Sequence, residues 1–231
     1  MTKYKTIIFV RHSESTNNVS KRTAARTWGL PRSLEDTKNI LSLLTIPMDS
    51  SLSEEGLQML EIQRVEFQRV LQEQQPPMEV VLYSPLQRAK QTAISLCKGL
   101  PLSISTATDT ADPAPLPLEL SEHIYEKSLS EYLGYKSFPT RVHSFVAELQ
   151  SRHERNIVVV GHSMFFQTLV PEIGRQKQLM GNLSVWRAAL TAEGSFQDVC
   201  LLVHGWRSGL EAGKGKATTT TTSTEGVEGG K

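Results

Sequence analysis

The stretch Thr6-Ile-Ile-Phe-Val10, followed at once by Arg11-His12-Ser13-Glu14-Ser15, decides how the rest of the chain is interpreted. The first five residues are mainly apolar and β-branched, which is typical of a central strand covered on both faces. The next five are mostly polar, and Asn18 follows them. A buried strand with this ending places its polar side chains at the carboxyl edge of a sheet, where α/β proteins bind their ligands.

Two further strand-like runs also end in polar residues. Glu79-Val-Val-Leu-Tyr83 leads through Ser84-Pro85 into a predicted helix that carries Arg88, with Ser84 as the expected cap. Asn156-Ile-Val-Val-Val160 leads into Gly161-His162-Ser163. Since the carboxyl ends of parallel strands meet at one edge of a sheet, we expect the three strand ends to converge there.

Apolar residues at helical spacing predict further helices between these strands. One helix begins at Ser53, which can cap it, and runs to about Gln74, and another spans about 139 to 153. A last strand is expected from about 198 to 203. The alternation predicts an α/β fold, as a three-layer sandwich with a mainly parallel central sheet and helices on both faces.

The length of 231 residues suits one domain with decorations, and we assign it to residues 1–211. Residues 19–47 carry dispersed Arg and Lys directly after the first polar loop, and they form a candidate lid over the site. Residues 212–231 are rich in Thr and Gly and lack apolar residues for a core, so we expect a disordered tail.

Charge and composition exclude several functional classes. The chain has 25 Lys plus Arg and 24 Asp plus Glu, a formal net charge of +1, so no global field favours nucleic acid or an anionic membrane as partner. Its two cysteines, Cys97 and Cys200, lie away from other metal ligands, which argues against a disulfide framework or a zinc site. No apolar run approaches the ~18 residues of a membrane span. No targeting segment precedes the first strand, and we therefore expect a cytoplasmic protein.

The residue types at the strand ends suit transfer of a phosphoryl group. A phosphate monoester repels anionic nucleophiles, whereas a neutral imidazole can attack phosphorus and form a covalent intermediate. Guanidinium groups hold the equatorial oxygens through forked hydrogen bonds. A carboxylic acid protonates the leaving oxygen and then activates water.

Four segments of the chain support this chemistry as a set. They are Arg11-His12-Ser13-Glu14-Ser15 with Asn18, Asp49-Ser-Ser-Leu-Ser-Glu-Glu-Gly56, Ser84-Pro-Leu-Gln-Arg88-Ala-Lys-Gln-Thr92-Ala, and Val160-Gly-His162-Ser163. In this order they resemble the motifs of the histidine phosphatase superfamily, the phosphoglycerate-mutase-like group. The first is similar to its Arg-His-Gly-Glu/Gln-Thr/Ser signature, and the last to its second histidine after a strand. The resemblance covers about residues 4 to 205.

The resemblance implies a metal-independent phosphomonoester hydrolase with no cofactor, which acts on a small phosphorylated molecule. It implies that His12 is the nucleophile and that Asn18 helps to bind phosphate near it. The transferring phosphoryl group would be bound by Arg11, Arg88 and His162. Ser13 stands where the family has Gly, which is a departure in the loop around the nucleophile.

The acid is assigned from a shorter match. In this family the acid often lies in Leu-x-Glu, and Leu120-Ser-Glu122 fits that pattern, although the Gly and Trp-Glu-Gly that usually follow are missing. Glu122 is therefore the predicted acid, with Glu119 and Glu126 as rivals.

Three alternative functions are weighed against hydrolysis. A mutase would pass the phosphoryl group to a substrate hydroxyl, but Thr27-Trp28-Gly29-Leu30 is a poor substitute for the Phe-x-Gly-Trp-x-Asp-like stretch of glycolytic mutases. A serine hydrolase is suggested by Gly161-His-Ser163-Met-Phe165, which nearly matches Gly-x-Ser-x-Gly, with Asp198 and His204 downstream. A non-catalytic phosphate-binding protein would keep the pocket without turnover. The sequence favours the hydrolase and does not indicate its substrate or oligomeric state.

Overall fold

The computed structural model describes residues 4–20, 49–98, 100, 116–126, 131, 137–175 and 180–206. Residues 212–231, predicted as a disordered tail, and all but the first two residues of the candidate lid at 19–47 lie outside the described residues.

Strands and helices alternate through most of the described chain. The strands are β1 (Lys5–Arg11), β2 (Val80–Tyr83), β3 (Leu118–Leu120), β4 (Asn156–Gly161), β5 (Val185–Leu190) and β6 (Phe196–Val203). The helices are α1 (Glu54–Gln72), α2 (Gln87–Cys97), α3 (Phe138–Ser151), α4 (Ser163–Leu169) and α5 (Pro171–Arg175). No described helix is long and apolar enough to cross a lipid bilayer.

The six strands form one sheet in the order β3-β2-β4-β1-β5-β6. The first four strands in this order are parallel, whereas β5 runs antiparallel to β1 and to β6. The predicted α/β class is confirmed, but the prediction of a mainly parallel sheet is wrong because the sheet is mixed. After α5 the chain turns back through a β-hairpin, whose turn includes Gly194 at φ 83. A hairpin joins strands that run in opposite directions.

Buried side chains lie on both faces of the sheet. In β4, Ile157 and Val159 pack in a cluster with residues of α3, α4 and α5, whereas Val158 and Val160 pack in a second cluster with residues of α1 and α2. Successive side chains of a strand point to opposite faces, so a strand covered on both sides needs apolar residues at every position. This explains the continuous apolar runs of β1 and β4.

The observed helix starts match the sequence in one case and differ in another. Ser53 precedes α1, and its hydroxyl accepts a hydrogen bond from the Gly56 N–H at 3.0 Å, as a capping residue does. The prediction that Ser84 caps α2 is wrong, since Leu86 stands at that cap position without a side-chain hydrogen bond. The Ser84 hydroxyl faces His162 instead.

Candidate active site

The carboxyl ends of β1, β4 and β2 meet at one edge of the sheet. The His12 N–H donates to the Gly161 carbonyl at 3.0 Å, and the Ser84 N–H donates to the Val160 carbonyl at 3.1 Å. The imidazole rings of His12 and His162 therefore lie side by side, with their centroids 5.0 Å apart. The expected convergence of these strand ends is confirmed.

The imidazole of His12 has one nitrogen tied to the backbone. Its side chain is buried, and Nδ1 lies 2.6 Å from the carbonyl oxygen of Ser13. A carbonyl oxygen can only accept a hydrogen bond, so Nδ1 carries the proton of the neutral ring. In this tautomer Nε2 keeps its lone pair. An imidazole in that state is a nucleophile or a base.

Backbone and hydroxyl contacts brace the loop after β1 against two helices. The Ser13 N–H donates to Thr92 Oγ1 on α2 at 3.0 Å, and the Ser13 hydroxyl donates to the Gly56 carbonyl on α1 at 2.6 Å. One residue later the Glu14 carbonyl accepts from the Ser53 N–H at 3.0 Å. The departure from the family's Gly at position 13 is therefore accommodated, since its hydroxyl takes part in this bracing.

A cleft with positive charge opens beside His12. It is lined by Arg11, His12, Ser15, Asn17, Asn18, Arg88, Glu126 and Ser163. Arg88 is only 3% exposed, and its Nη2 donates to Glu126 Oε2 at 2.5 Å. Arg11 donates through Nη1 to the carbonyl of Met180. Contacts with the protein thus hold both guanidinium groups in the cleft that His12 lines.

His162 is completely buried beside His12 and is not among the residues that line the cleft. Burial lowers the pKa of His162 well below its ordinary value of 6.5, and the neighbouring His12, Arg88 and Arg11 lower it further. Its Nε2 lies 2.8 Å from the Ser84 hydroxyl, and its buried Nδ1 has no hydrogen-bond partner among the described residues. The Ser84 hydroxyl can donate its proton to Nε2 while its oxygen accepts from the Leu86 N–H at 3.4 Å. A neutral His162 then carries its own proton on Nδ1 and can donate it to a ligand.

The three candidate acids are separated by the structure. Glu122, the acid predicted from the sequence, is exposed and is not among the residues that line the cleft. Glu119 pairs with Arg152 at 2.6 Å and does not line the cleft. Glu126 alone of the three lines it. The segment after β3 turns at positions 122–123, which carries the later glutamate back to the cleft.

Asn18 and three residues that the sequence analysis did not assign to the site also line the cleft. Asn18 Oδ1 accepts a hydrogen bond from the Ser15 hydroxyl at 2.5 Å. Ser15 precedes a short helical stretch at 16–20, and Asn17 lies in that stretch. Their nearness to His12 in sequence was the available signal. Ser163 was considered only as a serine nucleophile.

The serine hydrolase alternative lacks its triad. The Ser163 hydroxyl accepts a hydrogen bond from Gln167 at 2.6 Å. Asp198 lies in β6 and His204 directly follows it, three strand positions from β4. At the usual strand separation this is about 14 Å across the sheet, which is too far for a Ser-His contact.

Solved structures with a similar fold include a phosphoglycerate mutase from Bacillus anthracis, at 16% identity with a TM-score of 0.54, covering 85% of this chain and 92% of that one. Bacillus stearothermophilus YhfR matches at 17% identity and a TM-score of 0.54, over 83% and 94% of the two chains. A mycobacterial glucosyl-3-phosphoglycerate phosphatase matches at 16% identity with a TM-score of 0.50, covering 88% of this chain and 100% of that one. No protein-family model matches the chain, and no curated protein sequence matches it. At these identities the similarity shows that the chain shares its fold with these structures.

Proposed function

We propose that this chain is a phosphomonoester hydrolase of the histidine phosphatase superfamily, and that it acts through a phosphohistidine intermediate on His12. The observation that carries the proposal is the contact between His12 Nδ1 and the Ser13 carbonyl at 2.6 Å. It makes Nε2 the basic nitrogen of a neutral His12, and His12 lines a cleft that Arg11 and Arg88 also line. A neutral nucleophile beside fixed cations is what attack on an anionic phosphorus requires.

In the first step Nε2 of His12 attacks phosphorus, and the bond between phosphorus and the leaving oxygen breaks. Arg11 and Arg88 hold the phosphoryl oxygens through charge-assisted hydrogen bonds. His162 contributes a neutral donor from Nδ1 rather than a positive charge, because the pKa of His162 is lowered by burial. Asn18 contacts phosphate from the short helical stretch at 16–20 that follows the nucleophile.

Glu126 is the proposed general acid and base. Its carboxylate lies 2.5 Å from Arg88, and a bound phosphoryl group competes for that guanidinium, which frees the carboxyl group to carry a proton. Protonated Glu126 gives this proton to the leaving alcohol. In the second step its carboxylate takes a proton from water, the water oxygen attacks phosphorus, and the bond to His12 breaks to release inorganic phosphate.

Rapid-quench mass spectrometry tests the intermediate. The protein is mixed with p-nitrophenyl phosphate and quenched in acid or in base. We expect a phosphoryl adduct on His12 that survives base and is lost in acid, and no adduct or turnover in the His12→Ala variant. Full turnover by His12→Ala would end the proposal. Turnover by the wild type also separates an enzyme from a phosphate-binding protein.

Two further measurements define the reaction class. Arg and His side chains supply the positive charge in this proposal, so EDTA should leave the rate unchanged, and a metal-dependent rate would contradict it. Water is the proposed acceptor, so inorganic phosphate should appear in step with the released alcohol. Release of alcohol without inorganic phosphate, with the phosphoryl group on an added alcohol, would favour a mutase.

A further inference from the structure

Arg141 on α3 contacts the segment that carries Glu126 but does not line the cleft. Its Nη1 donates to the carbonyl of His123 at 2.8 Å and to the carbonyl of Tyr125 at 2.7 Å. Its Nη2 approaches the carbonyl of Glu126 at 3.4 Å. One guanidinium group therefore contacts the backbone of Glu126, the proposed acid, and of two residues that precede it.

The guanidinium group of Arg141 is itself held on its other sides. Its Nε and Nη2 donate to the two carboxylate oxygens of Glu131 at 2.8 and 2.9 Å, and the Glu131 side chain is only 5% exposed. The group also lies over the rings of Phe138 and Phe165, at 4.9 and 5.6 Å from their centroids. A bidentate carboxylate and two aromatic rings leave this arginine little freedom.

The segment that Arg141 contacts has left the sheet. The Ser121 N–H still donates to the Tyr83 carbonyl of β2 at 3.0 Å, whereas residues 124–126 belong to no helix or strand. Ile124 is buried and lies against the backbone of Gly161. The path from β3 to Glu126 is therefore set by the hydrogen bond from the Ile124 N–H to the Ser121 carbonyl at 3.3 Å, by the packing of Ile124, and by the hydrogen bonds from Arg141 to the main chain.

We infer that Arg141 is a positioning residue for the acid–base steps, because it fixes the segment that presents Glu126 to Arg88 and His12. This inference rests on the proposed function. Arg141 would not contact the substrate, and its effect would pass through Glu126. A displaced acid matters most when the leaving oxygen is strongly basic and needs a proton in the transition state.

Two substrates separate positioning of the acid from a general structural role. p-Nitrophenyl phosphate has a weakly basic leaving group that departs without protonation, whereas β-glycerophosphate has a strongly basic alkoxide that does not. In Arg141→Gln we expect kcat for β-glycerophosphate to fall by about 100-fold, in the range for loss of a general acid. We expect kcat for p-nitrophenyl phosphate to fall by less than about 3-fold, since the nucleophile and arginines stay in place.

Arg152→Gln is the matched control. Its side chain is 17% exposed, as is that of Arg141, and it also pairs with carboxylates, those of Glu119 and Glu154. It lies beside the start of β4, at the opposite end of that strand from His162. It should leave both rates within about 2-fold. Since loss of the pair with Glu131 could prevent Arg141→Gln from folding, Arg141→Lys is measured too. Lysine keeps the positive charge but lacks the planar, multiply donating guanidinium group. Arg141→Lys should therefore show the same substrate selectivity with a smaller loss of kcat.

A double-mutant cycle completes the test. If Arg141 acts through Glu126, Arg141→Gln in a Glu126→Gln background should cost less than about 2-fold more on β-glycerophosphate. Equal losses on both substrates, no loss, or multiplicative losses in the double variant would each overturn the positioning role while leaving the phosphatase proposal intact. A wild type that hydrolyses neither substrate and forms no phosphohistidine would instead overturn the proposed function, and this inference with it.

Discussion

His12 and His162 are neighbouring imidazoles to which the surroundings give different roles. His12 is tied through Nδ1 to a carbonyl, which leaves a basic nitrogen for the cleft. His162 is tied through Nε2 to the Ser84 hydroxyl, which leaves a donor. With ring centroids 5.0 Å apart, two protonated rings would repel each other in a buried site beside two arginines. The lowered pKa of His162 keeps that ring neutral beside His12 and the two arginines.

The two glutamates make a matched pair for identifying the acid. Glu126 lines the cleft and contacts Arg88, whereas Glu122 is exposed four residues earlier on the same segment. We expect Glu126→Gln to lower kcat on an alkyl phosphate by about 100-fold or more, and Glu122→Gln by less than about 3-fold. Steady-state kinetics with β-glycerophosphate makes the comparison. The reverse order of effects would return the assignment to Glu122.

The lowered pKa of His162 predicts a stability that falls with acid. In the unfolded chain this ring titrates near its ordinary value of 6.5, but the folded protein keeps it neutral to lower pH. Below pH 6.5 the unfolded state therefore binds one more proton, so the free energy of unfolding falls as pH falls and is fully recovered above that pH. The slope from one such group is at most about 1.4 kcal/mol per pH unit.

Urea unfolding between pH 7.5 and 5 measures this slope, and His162→Asn is the test variant. It should lose the part of the slope that comes from the buried ring, although carboxylates contribute the rest. His153→Asn is the control because that side chain is 92% exposed, and its slope should match the wild type. Identical slopes in wild type and His162→Asn would show that the ring is not held neutral by the fold.

Single positions next to buried strands were predictable from sequence, and the acid was not. His12 and His162 directly follow β1 and β4, so the strand fixes where each residue lies. Glu126 comes six residues after the end of β3 at Leu120, on a stretch outside helix and strand. Its place depends on contacts with Arg141 and Gly161 that are distant in sequence. Local pattern carries no information on such contacts.

At the scale of elements, α1 contacts the loop after β1 at a glycine, Gly56. Gly56 lies in the first turn of α1, where its carbonyl accepts from the Ser13 hydroxyl. A Cβ at this position would come within 2.1 Å of the Glu14 carbonyl oxygen. The close approach of α1 to the loop after β1 therefore requires a residue without a Cβ at position 56.

Gly56→Ala should move that loop and weaken both fold and activity. Helix propensity alone would favour Ala by up to about 1 kcal/mol. The overlap with Glu14 involves backbone and cannot be relieved by a rotamer, so we expect a net loss of about 1–3 kcal/mol in unfolding free energy. Displacement of His12 with the loop should lower kcat by about 10-fold or more. Thermal or urea unfolding and p-nitrophenyl phosphate kinetics give the two values.

Gly174→Ala is the control for this prediction. It also lies in a helix, α5, but an added Cβ would meet Gln167 O at 3.3 Å, which a small shift relieves. We expect its unfolding free energy to stay within about 1 kcal/mol of the wild type and its activity to be unchanged. Equal effects from the two substitutions would mean that the close approach at Gly56 is unimportant.

The pairing of the last two strands could not be predicted from the sequence pattern. β5 carries exposed Arg187 between buried Trp186 and Ala188, which is the alternation of a strand covered on one face. Such a six-residue run is a weaker signal than the continuous apolar runs of β1 and β4. In the sheet, β5 lies between β1 and β6. Which strand it pairs with depends on long-range contacts that its own residues do not indicate.

At the scale of the whole molecule, the cleft joins elements from several parts of the chain. Arg11 and His12 come from the end of β1, Arg88 from α2, and Glu126 from the segment after β3. An oxyanion held by both arginines therefore ties β1 to α2. Binding of a simple anion should resist any opening that moves α2 away from the sheet.

Cys97, at the end of α2, reports such opening. Burial raises the pKa of Cys97 to about 12, so the folded protein holds a thiol that is inert to thiol reagents. In Cys200→Ser it becomes the sole cysteine of the chain. Its labelling by a disulfide reagent then requires opening, and inorganic phosphate at 100 times its Kd should slow the labelling by about 100-fold, equivalent to about 2.7 kcal/mol. Potassium chloride at equal ionic strength should have little effect, and Arg88→Gln in the same background should lose most of the protection. Protection that persists without Arg88, or none in its presence, would mean that the anion does not bridge β1 and α2.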